Sequence, residues 1–275
     1  MKRLFVWAVA VCTFFSFHGV ALAADMQEYS LDELYMKISI PNDYIVVTRD
    51  TKSLPKEFEE IGVALENLQY DLKSANAYLD AYKTDFTDSI RIVVSDSTGV
   101  FDLRSYTTEQ LEQYIQEVVD DMNRSTNQST DAQNAQIADA LLSYERVCEY
   151  PDARYIVMSS ELSMADNTYH ALQYSTVKNG LAINTILYSY KGSLISEQEQ
   201  MLDDVIKTIH FKDLPAPIGA DTVRTSAQEN SIWYNAFIKA IAYVIIAGII
   251  GGVTALAVYF SKKSRAKKTK DDQNI

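Results

Sequence analysis

Histidine, cysteine and acidic side chains are the residues of this chain that could carry catalysis or bind a metal ion. After residue 23 the sequence contains two histidines, His170 and His210, and one cysteine, Cys148. They do not form a zinc-binding pattern, and the acidic residues do not form the loop of an EF-hand. Nucleophile-elbow, phosphate-loop and dinucleotide-binding motifs are also absent from the sequence. We therefore assign no catalytic residue, no cofactor and no metal ligand, and we expect a protein that is not an enzyme.

The acidic pairs and the lone thiol have simpler structural explanations. Asp120-Asp121 and Asp203-Asp204 fall on predicted helices, where neighbouring side chains point about 100° apart, so we expect solvated helix faces. One thiol cannot form an internal disulfide, and Cys148 lies in a strand-like stretch. We expect it to be buried and unreactive.

Tyrosine gives the strongest indication of a binding surface. The chain has 18 tyrosines, and many of them fall on predicted strands. One interpretation is that these rings pack between a sheet and its helices; the other is that some form a partner surface, because tyrosine anchors many interfaces. We favour packing, and we keep four residues as the candidate partner surface: Tyr169, Tyr174, Tyr188 and Tyr190.

Charge excludes one class of function. The chain has 25 lysines and arginines against 37 aspartates and glutamates, a formal charge of −12. Between residues 24 and 232 the excess reaches −19, with 35 acidic and 16 basic residues. Binding to nucleic acid requires clustered basic residues, so we expect no nucleic-acid partner.

The elements that would position these residues follow from hydrophobic periodicity and turn signals. Seven strands and four helical pieces are predicted over residues 24–213, in the order ββ-αα-β-α-ββββ-α. The predicted strands are 36–40 and 44–48, which form a hairpin, then 89–95, 142–150, 153–161, 168–177 and 182–190. The first predicted helix begins near Ser53 and the second covers residues 65–82. The third begins at Thr107 or Thr108, and the fourth begins at Ser196. Asn179-Gly180 predicts a tight turn between the last two strands. This order indicates an α+β domain whose antiparallel sheet is covered by helices.

Two apolar segments flank this domain. Residues 1–23 combine Lys2 and Arg3, an apolar run and an Ala-x-Ala end, which is typical of a cleaved signal peptide. Residues 233–260 predict a transmembrane helix, since 240–260 carries no charge and would span about 31 Å. A stalk at 214–232 and a basic tail at 261–275 complete the predicted organisation.

The basic tail sets the expected orientation. Six lysines and arginines follow the apolar segment, and such clusters stay on the cytoplasmic side of a membrane. We therefore expect a single-pass protein of the cell membrane with its large domain outside. Gly248 and Gly252 form a GxxxG pair, which predicts a helix-pairing face and a homodimer.

The closing stretch YSTVKNGLAINTILYSYKGSLISEQEQMLDDVIKTIHF and the opening MKISIPNDYIVVT resemble the PsbP-like fold, an α/β/α sandwich named after an extrinsic protein of photosystem II. The chain is also similar to membrane-anchored bacterial surface proteins built on such a domain. The resemblance covers most of residues 24–213 and rests on turns and strand patterns. It implies the fold and a non-enzymatic adaptor or accessory role, and it implies no site residue.

Three hypotheses for function remain open at this point. The first is a membrane-anchored binding or accessory module that acts on an envelope protein, a peptide or a cell-wall component. The second is an extracytoplasmic hydrolase with a site around His170. The third is a sensor-like subunit that pairs with a membrane partner through Gly248 and Gly252.

Overall fold

The computed structural model describes residues 25–56, 58, 62–96, 100–128, 137–164 and 167–215. The predicted signal peptide, the stalk beyond residue 215, the predicted transmembrane helix with Gly248 and Gly252, and the basic tail lie outside the described residues. Within the described ranges, no helix is both long enough and apolar enough to cross a bilayer.

The fold is α+β, with two antiparallel sheets. The small sheet has three strands in the order β1-β2-β10, and the large sheet has seven in the order β3-β4-β5-β9-β8-β7-β6. The strands are β1 (Met26–Leu31), β2 (Met36–Pro41), β3 (Tyr44–Thr48), β4 (Ala77–Lys83), β5 (Asp88–Asp96), β6 (Ile137–Glu149), β7 (Arg154–Met164), β8 (Asn167–Lys178), β9 (Leu181–Ser189) and β10 (His210–Phe211).

Three α-helices cover the large sheet from both faces. They are α1 (Leu65–Ser74), α2 (Thr108–Gln128) and α3 (Ser196–Lys207). Helices α1 and α2 bury Leu72, Leu111 and Ile115 against one face of the sheet. Helix α3 and the small sheet cover the other face, where Leu202 and Val205 meet the buried side of β2. Strand β9 lies at the centre and is buried from Ala182 onward, since both of its faces are covered.

The predicted hairpin over residues 36–48 is wrong, although both of its strands exist. Strand β2 pairs with β1 and β10, whereas β3 pairs with β4 in the other sheet. The turn carries the chain from one layer to the next: the Asn42 N–H donates to the Asp25 carbonyl, and the Thr84 N–H donates to the Asp43 carbonyl. The apolar alternation of β2 therefore faces the large sheet instead of continuing into it.

The predicted helix over residues 65–82 is half correct. Helix α1 ends at Ser74, and the remaining residues form strand β4. Asn76 adopts a positive φ of 50°, a conformation that ends helices and that asparagine tolerates. Its side chain is held on both sides, because it donates to the Val94 carbonyl and accepts from Arg49. Leu79 and Tyr82, which continue the helical spacing of α1, are strand residues.

The last four long strands and the turn between β8 and β9 are confirmed. Asn179 and Gly180 have φ values of 55° and 78°, as the two-residue turn requires. Thr107 caps α2, because its hydroxyl accepts from the Gln110 N–H while the Gln110 side chain accepts from the Thr107 N–H.

Helix α3 begins at Ser196, the residue at which its start is predicted. Its N-cap is Ile195, whose N–H donates to the Gln198 side chain. His210 lies beyond the helix in β10, where its Nδ1 is 2.9 Å from an oxygen of Asp152.

A buried ion cluster connects α1 to the large sheet. Arg91 on β5 is 2% exposed, and its Nε and Nη2 each donate to an oxygen of Asp80 at 2.7 Å. Nη2 also donates to Asp71 on α1 at 2.6 Å, and the Tyr82 hydroxyl donates to Asp80. Burial alone would lower the pKa of Arg91, but the neighbouring Asp80 raises it well above its usual value. Charges placed this deep are stabilised only while they are paired.

Replacing Arg91 by methionine should therefore lower the free energy of unfolding by about 3–5 kcal/mol, because Asp80 would stay buried without its partner. Lys37→Met is the matched control, since the Lys37–Glu28 pair at 2.8 Å is exposed and exposed ion pairs contribute little to stability. Urea denaturation followed by circular dichroism measures both changes. Equal decreases in the free energy of unfolding of the two variants would contradict the stabilising role of the buried cluster.

Candidate functional site

One strip of the large sheet is left uncovered on the face that α3 shares with the small sheet. Along β7 the side chains on this face change from buried to accessible: Tyr155 and Val157 are buried, Ser159 is half-buried, and the side chain of Glu161 is 52% exposed. On β8 the same change takes place between the buried Leu172 and the half-buried His170. The covering layer therefore ends before the three strands β6, β7 and β8 do.

The strip forms the floor of an open groove of about 270 Å³. Its floor comes from β7 and β8, one wall from β6, and the other wall from the segment that leads into α3. The side chains that give it chemical character are Glu145, Arg146, Glu161, His170 and Glu199, together with three leucines, Leu141, Leu172 and Leu194. This volume is slightly below the roughly 300–1,000 Å³ of typical small-molecule pockets, and it suits the side chains of a partner.

A bulge in β6 brings two consecutive charged residues to the groove. The pairing of β6 with β7 shifts between Tyr144 and Arg146, so Glu145 is an extra residue in the strand. In a regular strand, Glu145 and Arg146 would point to opposite faces. The bulge turns both toward the groove, which is a common way of redirecting a side chain at a site.

Arg146 is held by a hydrogen-bond network that also fixes α3. Its Nη2 donates to the Tyr174 hydroxyl at 2.8 Å, and this hydroxyl donates to Asp203 on α3 at 3.0 Å. The Tyr150 hydroxyl donates to the same oxygen of Asp203, and Lys207 lies 2.8 Å from its other oxygen. Because Asp203 is one turn after Glu199, the network also sets the position of the Glu199 wall.

The pKa values in this network follow from burial and hydrogen bonds. Burial would raise the pKa of Asp203, but hydrogen bonds from Lys207, Tyr150 and Tyr174 outweigh it and lower the pKa. Burial, and then the charge of Asp203, raise the pKa of Tyr174. Asp203 is therefore ionised and Tyr174 is protonated at neutral pH, which are the states that their hydrogen bond needs.

Cys148 lies next to this network and is half-buried. Burial raises the pKa of its thiol to about 11, although the charge of Arg146 acts in the opposite direction. The thiolate is the nucleophilic form of cysteine, so a raised pKa makes this residue unreactive at neutral pH.

Among the described residues, His170 has a neighbouring carboxylate but no hydrogen-bonded nucleophile. It pairs in register with Glu161, and its Nδ1 lies 3.9 Å from an oxygen of that residue, too far for a hydrogen bond. The nearby Ser159 hydroxyl donates to Glu145 instead. Within the described ranges, no group of three His, Cys, Asp or Glu residues is arranged to bind a metal ion.

The structure places three of the four candidate tyrosines on one face of the large sheet and Tyr174 on the other. Tyr174 is 0% exposed and faces α3, whereas Tyr188 is 2% exposed and faces α1 and α2. Tyr169 and Tyr190 are partly buried on the side of Tyr188, and the Tyr190 hydroxyl is 2.5 Å from that of Ser89. Tyr174 and Tyr188 therefore belong to the core and cannot present a partner surface. Packing, the interpretation favoured from the sequence, describes them.

The groove itself was not identified from the sequence. The change from Tyr-Ile-Val-Met to Ser-Ser-Glu along β7 is a visible signal that the strand leaves the core. The bulge at Glu145 has no comparable signal, because it becomes visible only through the pairing of two strands.

Two structures are among the solved structures that resemble this fold. The solution structure of cyanobacterial PsbP (CyanoP) from Synechocystis sp. PCC 6803 has 15% sequence identity and a TM-score of 0.41, and the match covers 70% of this chain and 96% of that one. A crystal structure from Bacteroides thetaiotaomicron VPI-5482 has 10% identity and a TM-score of 0.34, and covers 65% of this chain and 46% of that one. No protein-family model and no curated protein matches the chain. A PsbP structure is thus among the matches, as the resemblance in sequence led us to expect, and nothing about activity or partners follows from it.

The raised pKa of Cys148 has a measurable consequence. A shift from the ordinary value of 9.0 to about 11 lowers the thiolate fraction at pH 8 about 100-fold. With Cys12 replaced by serine, iodoacetamide should alkylate the folded chain at least about 100-fold more slowly than the chain in urea. A second chain, in which Cys148 is also replaced by serine and the exposed Tyr70 by cysteine, is the control and should react rapidly in both states. A folded Cys148 that reacts as fast as the control would contradict the assigned pKa.

Proposed function

We propose that the chain is a single-pass membrane protein that displays its α+β domain outside the cell as a binding or accessory module. The groove between β6 and the start of α3 is its binding surface. The observation that carries this proposal is that the covering layer stops short over β6, β7 and β8, which leaves accessible charged and apolar side chains on an otherwise buried sheet face.

The hydrogen bonds made by the serine and arginine side chains of the groove favour binding over catalysis. The Ser159 hydroxyl donates to Glu145, and Arg146 donates to Tyr174. A hydrolase centred on His170 would need a nucleophile within hydrogen-bond reach of that histidine, whereas the Ser159 hydroxyl is bonded to Glu145. The charged and apolar side chains of the groove are what recognition of a partner needs.

The point at which the chain leaves the domain supports display of the groove. The segment after β10 is fixed at the turn between β8 and β9: Asn179 bonds to the Leu214 N–H, and Lys178 lies 2.8 Å from Asp213. His170 lies near the other end of β8, about 30 Å from Asn179 at roughly 3.3 Å per residue. If the chain continues from this turn through a stalk to a membrane helix at 233–260, the groove faces away from the bilayer.

Two cysteine variants test both the orientation and the groove. Leu141 in the groove and Tyr70 on α1 are 56% and 76% exposed, and each is replaced by cysteine in a chain that lacks Cys12 and Cys148. A maleimide that does not cross membranes should label both variants in intact cells. In its own cells the thiol at position 141 should react more slowly than in the purified protein, because the partner covers it, whereas the thiol at position 70 should react equally in both.

Two results would contradict the proposal. Labelling of either variant only after lysis would show that the domain is not outside. Equal reactivity of the thiol at position 141 in cells and in the purified protein would show that the groove is not the site of partner binding.

The alternative of a hydrolase centred on His170 keeps one observation in its favour, since His170 lies in the groove beside Glu161. His170→Ala separates the two functions. A binding module should still protect the thiol at position 141, with at most a few-fold change, because His170 is only half-buried and its Nδ1 is 3.9 Å from Glu161, too far for a hydrogen bond. Loss of a turnover measured on the native envelope fraction, with protection unchanged, would favour the hydrolase.

A further inference from the structure

The charges of the groove are strongly unequal. Glu145, Glu161 and Glu199 all line it, and each of them is exposed. Arg146 is the guanidinium among the lining side chains, and it is already bonded to the Tyr174 hydroxyl. An incoming ligand therefore meets three carboxylates and one cation that is already engaged.

The surroundings of the groove strengthen the same sign of charge. Residues 24–232 carry a formal charge of −19, and the first turn of helix α3 contains Glu197 as well as Glu199. A field of one sign raises the local concentration of oppositely charged ligands and repels ligands of the same sign. Anionic ligands are therefore disfavoured at this surface.

Apolar side chains lie beside the carboxylates. Leu141 is 56% exposed on β6, and Ile195, next to the lining residue Leu194, is 55% exposed at the start of α3. These two are among the few large apolar residues that the described domain exposes. Apolar side chains beside charged ones offer a ligand the mixture of apolar and polar contacts that protein interfaces use.

We propose that the occupant of the groove is a cationic, amphipathic segment of a partner protein, whose lysine or arginine side chains pair with Glu145, Glu161 and Glu199 while its apolar side chains contact Leu141 and Ile195. This inference rests on the proposed function, because it identifies the ligand class of that same groove. Single pairs between exposed charges are weak, so recognition uses the three carboxylates together with the apolar contacts.

A pair of synthetic peptides tests the charge of the ligand. One peptide alternates leucine with lysine and the other alternates leucine with glutamate, at equal length. The full-length chain, purified in a neutral detergent, should bind the lysine peptide at least tenfold more tightly than the glutamate peptide. Raising the salt from 0.05 to 0.5 M should weaken that binding several-fold, because exposed charges are screened.

Matched substitutions separate the groove from the general acidity of the domain. Changing Glu145, Glu161 and Glu199 to glutamine should weaken binding of the lysine peptide about tenfold. The control changes Glu66, Glu109 and Glu117 to glutamine, three exposed residues on α1 and α2 at the opposite face of the sheet. It removes the same charge and should weaken binding less than twofold. A third variant, Leu141→Ser with Ile195→Ser, should also weaken binding several-fold.

Two outcomes would overturn the inference. The first is equal weakening by the groove variant and by its control, which would mean that the peptide follows net charge alone. The second is a chain that binds both peptides equally. If the thiol at position 141 is still protected in cells while either outcome is found, the groove remains a binding site and only its ligand class is wrong. An anionic vesicle that binds more tightly than the lysine peptide would also contradict the inference.

Discussion

Both faces of the seven-stranded sheet are apolar at its centre, and each must therefore be covered by another layer of structure. Helices α1 and α2 cover one face, and α3 with the three-stranded sheet covers the other. The second layer is smaller than the face on which it lies. As a result, α3 and the small sheet do not reach the parts of β7 and β8 that contain Ser159 and His170. On this face the side chains change there from buried and apolar to accessible and polar. The groove is thus a direct consequence of how the layers differ in size, and the sequence of β7 has adapted to it.

Polar contacts fix the position of the cover. Asp203 accepts hydrogen bonds from Tyr150, which follows β6, and from Tyr174 on β8. Polar contacts therefore attach α3 to the sheet, in addition to its buried side chains Leu202, Val205 and Ile206. The lowered pKa of Asp203 adds stability that is present above the pKa it has in the unfolded chain. That contribution is lost as the pH falls through the folded-state value. The attachment of α3, which forms one wall of the groove, should therefore be more stable at neutral pH than in acid.

Most of the fold could be predicted from the sequence, but little of the groove could. Local signals were reliable where one short segment decides the outcome, as at Asn179-Gly180 and at the Thr107 cap. Local signals failed where the structure of one segment depends on contacts with another segment. The apolar spacing of α1 continues through Leu79, but the helix ends before Asn76, whose side chain bonds to the Val94 carbonyl on β5. The separation of β2 from β3 and the bulge at Glu145 depend on strand pairing in the same way. The sequence favours packing for the tyrosines and keeps four of them as a candidate partner surface. Tyr174 and Tyr188 are buried, and the charged side chains accessible in the groove include three glutamates.

The central claim is that a partner occupies the face of β6, β7 and β8 that α3 leaves uncovered. Carboxyl footprinting of the full-length chain measures this directly, because carbodiimide coupling of glycinamide modifies accessible glutamates and mass spectrometry locates each one. With the lysine peptide present, modification of Glu145, Glu161 and Glu199 should fall several-fold, while modification of Glu66, Glu109 and Glu117 stays constant. Unchanged modification in the groove, or an equal fall in both sets, would contradict the account.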